Sequence, residues 1–178
     1  MKILLMILTL FGSANYDSTE LELDKSKSTM SILGTSSIHD WESIVNDFSV
    51  TGLINSQFIT GLQVQVVVKS IESGKGIMDN KTYDALLEKD FPKILFKAPS
   101  LEIKGESIEG SGTLSLAGQS QEITIEAQVL YSSGTELKVG GEVNLSMSDF
   151  GITPPTAMFG TLKTGDDVTI KYEFLLKK

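Results

Sequence analysis

The sequence predicts an all-β fold of antiparallel strands with one short helix inserted. Three observations carry this. Most of the chain after residue 50 alternates apolar with polar residues, as in Leu62, Val64, Val66 and Val68 against Gln63 and Gln65. The apolar runs are joined by short turn-forming stretches. Ala117-Gly118-Gln119-Ser120 and Ser132-Ser133-Gly134-Thr135 each fit a hairpin. One face of each strand is polar, which favours antiparallel pairing over a parallel sheet buried on both sides.

The N-terminus comes first and is unlike the rest. Lys2 precedes an uncharged apolar run, Ile3 to Phe11, and then Gly12, Ser13 and Ala14. A positive start, a brief apolar stretch and a small-x-small site read as an export signal. The run is far shorter than the roughly 20 apolar residues that span a bilayer. Cleavage is expected after Ala14, leaving one domain over residues 15–178 with no transmembrane segment, in the periplasm or outside the cell. The competing reading is a buried first strand or helix.

Leu21 and Leu23 open the first strand. Ser28 to Ile38 follows with Met30, Ile32 and Gly34 on one face. Ile44 to Ile54 places Phe48, Val50 and Gly52 together, with a bulge or turn at Asn46-Asp47. The run from Leu62 to Val68 comes next. Asp79 to Pro92 then breaks the pattern. Asp79 or Asn80 is suited to cap a helix of about Asn80 to Lys89, with Tyr83, Leu86 and Leu87 on one stripe and Asp84 and Glu88 wetter. Pro92 ends it, and Phe91 is expected to tuck beneath it. The helix reads as a cover over one end of the sheet, or as a lid over a ligand opening.

Beyond it, Ile94 and Phe96 start a strand, and Leu114 and Leu116 belong to the next. Ile123, Ile125, Ala127, Val129 and Tyr131 share a face of a third. Leu137 to Met147 and Val168 to Leu176 complete the set. Eight or so such strands build either a packed sandwich or a closed barrel that leaves no exposed edge. Periodicity alone does not choose between them.

Composition narrows the partners. The chain has 178 residues, 15 basic and 23 acidic, and a net charge of −8. No basic block is present, which argues against a nucleic-acid partner. The absence of cysteine excludes disulfides, thiolate metal sites and a cysteine nucleophile.

Three stretches resemble the YceI-like family. Tyr83 to Phe96 runs through a short helix and a phenylalanine turn into Pro92-Lys93-Ile94-Leu95-Phe96, a P-x-I-x-F pattern. Glu109 to Ile123 resembles the family's next segment, and Leu145 to Ile152, LSMSDFGI, its C-terminal pattern. The front departs from better-known members. Their histidine-containing aromatic strand is replaced by Ser36 to Glu42, followed by Val45 to Gly52. His39-Asp40-Trp41-Glu42 is similar to a Bacteroidetes-type branch. Over residues 20–178 the resemblance implies an eight-stranded antiparallel lipocalin-like barrel with a short helical insertion. It also implies an exported, non-enzymatic protein that binds a polyisoprenoid or similar amphiphile in an elongated cavity.

The residues themselves support no competing chemistry. His39 is the sole histidine, and adjacent strand residues point to opposite faces, so His39 and Asp40 make no obvious dyad. No G-x-S-x-G motif occurs. Asp40, Glu42 and Asp47 match no recognised metal spacing, and Asp166-Asp167 reads as a polar turn. No metal or cofactor is expected. The candidate ligand-binding residues are Trp41, Phe48, Phe58, Phe91, Phe96, Met147, Phe150, Met158 and Phe159, with His39 as a rim or headgroup contact. Gly151 to Gly160 is the longest loop with apolar content and could fold over an opening. The expected function is non-catalytic binding of a lipid or isoprenoid-like amphiphile in the apolar interior. The alternative is an exported structural or protein-interaction barrel with a packed core. A homodimer is left open.

Overall fold

The computed structural model describes residues 17–157 and 160–178. The expected export signal and the loop residues Met158 and Phe159 lie outside them. The described chain forms β1 (Thr19–Leu23), β2 (Thr29–Ser36), β3 (Trp41–Val45), β4 (Phe48–Ile54), β5 (Phe58–Val67), β6 (Ile71–Glu72), α1 (Gly76–Ala85), β7 (Lys93–Lys104), β8 (Ser107–Leu116), β9 (Gln119–Ser132), β10 (Glu136–Ser146), β11 (Thr156–Ala157) and β12 (Leu162–Lys177).

Three pairs of these segments are single strands with a bend. β1 and β2 are joined by a 3-10 turn at Lys25–Lys27, β3 and β4 by Asn46-Asp47, and β5 and β6 by a 3-10 turn at Val68–Ser70. The partners agree: β1 pairs β4 while β2 pairs β3, and β4 pairs β5 while β3 pairs β6. With the bends counted through, eight antiparallel strands follow one another in chain order around a closed barrel. Closure settles what periodicity left open.

The seam lies between the first strand and the last. β12 takes β2 along Thr29–Gly34 and meets β1 at Glu22↔Lys177 and Leu23↔Leu176. The bend between β1 and β2 is pinned there. Asp24 N donates to Leu175 O at 2.8 Å, and Ser28 Oγ accepts from Leu175 N at 2.9 Å. The Asp24 carboxylate accepts from Ser26 N and Oγ and sits 3.2 Å from Lys177 Nζ. The Ser26 hydrogen bond and the lysine hold its pKa below the ordinary value.

Side chains that alternate inward line the barrel and form its buried core. Leu21, Val50, Ile59, Leu101, Ile108, Leu137 and Leu176 are among them. Phe174 packs on Phe48 and Tyr172, with ring centroids 5.4 Å and 4.9 Å away.

The helix differs from its sequence-based outline. It starts at Gly76, and Lys75 occupies the N-cap without a side-chain bond. Asp79 does not cap it; its Oδ1 accepts from Ser73 N and Oγ at 2.7 and 2.6 Å, tying the helix to the preceding loop. It ends before Leu87 because Glu88 N reaches Tyr83 O and Leu87 N reaches Asp84 O, a Schellman-type stop. Leu87 therefore takes φ 52°, a left-handed conformation usually given to glycine, and stays exposed. Glu88 is less wet than expected, being half-buried 3.8 Å from Lys69 Nζ.

Candidate functional site

The barrel is not full. An inner cavity of about 170 Å³ runs along the axis, lined by sheet side chains including Phe96, Leu101, Ile108, Ile125, Val139 and Phe174. Its one polar side chain among the described residues is Tyr172. Burial pushes the Tyr172 phenol up to about 12, so it stays a neutral hydroxyl in an apolar wall.

A second cavity of about 280 Å³ lies at the α1 end. Ile94, Leu116, Leu145 and Ile170 line both cavities, so the two adjoin at a shared apolar wall. The outer cavity is assembled where the β2–β3 turn, α1, the end of β8 and the segment after β10 converge. From α1 come Met78, Lys81, Thr82, Ala85 and Leu86. These are spaced i, i+3, i+4, i+7 and i+8, one stripe of a helix. The stripe expected from Tyr83, Leu86 and Leu87 is only partly this one. Leu86 faces the cavity, whereas the Tyr83 hydroxyl donates to Lys69 O at 3.0 Å and anchors the helix outside it. Burial, with Asp79, Glu72 and Glu88 nearby, raises the Tyr83 pKa.

Opposite α1 stand Trp41 and Ser43 of β3. The Trp41 indole lies flat over Gly34 of β2; a Cβ there would sit 2.3 Å from the ring. Its Nε1 donates to Thr35 O at 2.9 Å. Ser43 is 3 % exposed, the only buried polar residue among those described. Met147 and Phe150 come from a 3-10 turn at Met147–Phe150, and Ile152, Pro155 and Thr156 from the loop after it. Lys81 Nζ donates to Thr156 O at 2.6 Å, which joins the helix to that loop.

The structure brings Trp41, His39, Met147 and Phe150 into the outer cavity and Phe96 into the inner one. Phe48 is buried against Phe174 and lines neither. Phe58 is 37 % exposed at the far end of β5, and Phe91 is 41 % exposed. Phe91 does not tuck under α1. It covers the two-residue β8–β9 turn, where Ala117 and Gly118 both have positive φ and a Cβ on Gly118 would meet its ring at 2.6 Å. His39 Nδ1 lies 2.7 Å from the main-chain oxygen of Asp40, so the ring engages backbone and not the neighbouring carboxylate. Among the described residues no group of three His, Cys, Asp or Glu converges to hold a metal.

Sequence reading missed Ser43, Lys81, Thr82 and Lys163 as lining residues. Tyr172 falls on the alternating apolar face of Val168 to Leu176, and its isolation in the wall is visible only with the barrel closed.

A polar slot flanks the outer cavity. The β9–β10 ladder stops at Gly141↔Ala127, while β9 stays paired to β8 as far as Gln119 and β10 to β12 as far as Ser146. The two strands part, and Gln121, Glu122, Asn144, Asp149 and Asp167 line the gap. Gln121 Nε2 bridges it to Asp149 O at 3.0 Å.

A family model described as YceI-like domain matches residues 21–176. The chain belongs to the YceI-like family. Solved structures of the same fold include BcnA of Burkholderia cenocepacia, 18% identical with a TM-score of 0.72, covering 86% of this chain and 98% of that one. A domain from Saccharophagus degradans, described as polyisoprenoid binding and implicated in plant cell wall breakdown, is 14% identical with a TM-score of 0.66. That match covers 88% of this chain and 97% of the other. A Campylobacter jejuni YceI protein is 20% identical with a TM-score of 0.66, covering 76% of this chain and 84% of its own. At these identities the likeness establishes the fold. No curated protein matches the chain.

Proposed function

We propose that this YceI-like protein is a non-catalytic carrier of an amphiphilic lipid or isoprenoid-like molecule, working in the periplasm or outside the cell. The two adjoining apolar cavities, one at the α1 end and one inside the barrel, support this most directly. A packed interaction barrel would have no use for such space. The polyisoprenoid-binding description of the Saccharophagus degradans relative points the same way.

The physics is that of transfer. Each methylene moved from water into the channel contributes roughly 0.8 kcal/mol before ordering costs. The hydrocarbon tail occupies the inner cavity beside Phe96. Trp41, Met147 and Phe150 surround its upper part, and His39 stands at the rim. The headgroup stays at the α1 end, where the polar side chains are.

Native mass spectrometry of the protein purified gently from its own host, followed by organic extraction, tests this. A stoichiometric adduct of lipid mass is expected, and the same spectrum reads the oligomeric state. The mass of the secreted or periplasmic form reads whether the chain starts at Asn15. A ligand-free mass, repeated after incubation with isoprenoid quinones and fatty acids, would overturn the carrier reading.

A further inference from the structure

We propose that the outer cavity selects an anionic headgroup, a carboxylate or a phosphate, and that Lys81 and Lys163 hold it. This rests on the carrier reading above and names the ligand class. The observation is one of charge. The chain carries 23 acidic and 15 basic residues, yet the described wall of the outer cavity contains Lys81, Lys163 and His39 and no aspartate or glutamate. In an acidic protein, an apolar cavity whose only charged side chains are lysines is a biased site.

The two lysines approach from different elements. Lys81 lies on the cavity-facing stripe of α1 and is half-buried, so its aliphatic stem can pack along the apolar wall. Its ammonium bonds the Thr156 carbonyl, a neutral acceptor that leaves the charge uncompensated. Lys163, near the start of β12, is exposed and also lines the cavity; its backbone is fixed, since Ser37 N donates to Lys163 O at 2.9 Å and Lys163 N donates to Ser37 Oγ at 3.3 Å. Neither lysine enters an ion pair among the described residues, so no carboxylate there competes with a bound anion for them.

The neighbouring slot sharpens the assignment. Glu122, Asp149 and Asp167 line it, and it shares Leu145, Ser146 and Phe150 with the outer cavity. The α1 end therefore has one basic opening and one acidic opening. An anionic headgroup is drawn to the first and repelled by the second, which fixes how the ligand lies. The overall charge of −8 opposes this only weakly, because salt screens charges beyond about 8 Å at physiological ionic strength. Lysine is a point charge without a fork, so the site does not distinguish carboxylate from phosphate by geometry.

The test uses amphiphiles with one common hydrocarbon chain and four headgroups: carboxylate, monophosphate, alcohol and amine. Each is titrated against the purified protein by displacement of a fluorescent lipid. The two anions are expected to bind about fivefold or more tightly than the alcohol, with the amine weakest. The preference should shrink as salt is raised and approach parity in the double variant Lys81→Gln, Lys163→Gln. Equal affinity for anion and alcohol, or tighter binding of the amine, would overturn the anionic class and leave the carrier reading standing. An undiminished preference in the double variant would overturn the assignment to these lysines. Failure of all four to bind would remove the carrier reading itself, and this inference with it.

Discussion

The inner and outer cavities share four wall residues and are otherwise built in different ways. The inner wall comes from consecutive strands of one closed sheet, every other residue contributing, with a single hydroxyl at Tyr172. The outer wall comes from the β2–β3 turn, a helix, a 3-10 turn and a loop, and it mixes apolar residues with serines, lysines and a histidine. The sheet supplies volume and apolar contact. The inserted segments supply polarity and charge. On the proposed carrier reading, the barrel would set what kind of tail fits, and the connections at one end what kind of head is tolerated.

The largest way to break this contrast is in the inner wall. Ile108 is 2 % exposed, and Ile108→Ala should cost about 2–5 kcal/mol in denaturant unfolding while enlarging the inner cavity. A loss under about 1 kcal/mol would mean the inner wall collapses freely and does not define a fixed channel.

Tyr172 gives the next effect, through pH. Its folded pKa is raised from 10.0 to about 12 by burial. The folded state therefore holds its proton where the unfolded chain has released it, and stability falls as pH rises from 10 towards 12. Two units correspond to about 3 kcal/mol. Tyr172→Phe should flatten the alkaline arm of a stability profile; an unchanged arm would mean that the hydroxyl is hydrated.

At the outer wall, Gly34→Ala places a methyl against the Trp41 indole. It should cost about 1–3 kcal/mol and shift tryptophan fluorescence, since the ring must move. An unaltered spectrum would show that β2 gives way instead. The smallest effect is expected at the exposed end of α1. Leu87→Gly relieves the positive φ at the stop of α1 and should be neutral or stabilise by up to about 1 kcal/mol. A clear loss of stability would show that the Leu87 side chain does more than sit in solvent.

The same contrast explains what could be read from the sequence. Strands such as Leu62–Val68 and Val168–Leu176 announce their inward faces because one alternating pattern serves both the fold and the inner cavity. The two-residue turn at Ala117-Gly118 was legible for the same reason. The cavity stripe of α1 was not, because two of its five positions are Lys81 and Thr82. Their polarity hid the inward face, while Tyr83 and Leu87 suggested another. The start of the helix is hidden by Gly76, a poor helix former, and Asp79, a cap by residue type, instead accepts from Ser73. The aromatics Phe58 and Phe91 fit a cavity by residue type, yet their places follow from where the bent strands and the β8–β9 turn end. The place of Lys163 beside the outer cavity follows from where β12 begins, which no residue pattern marks.

The seam between β1 and β12 also bears on the order of folding. The residues that meet across it stand at opposite ends of the domain, Leu23 opposite Leu176, so ring closure joins the most distant contacts in the chain. While the chain is being made, the earlier strands can pair only as an open sheet with two free edges and its apolar face uncovered. That sheet is a natural client for a chaperone. A chain cut short before β12 would keep the same inward-facing residues with no strand to close over them, so the last strand is the one that completes the enclosure.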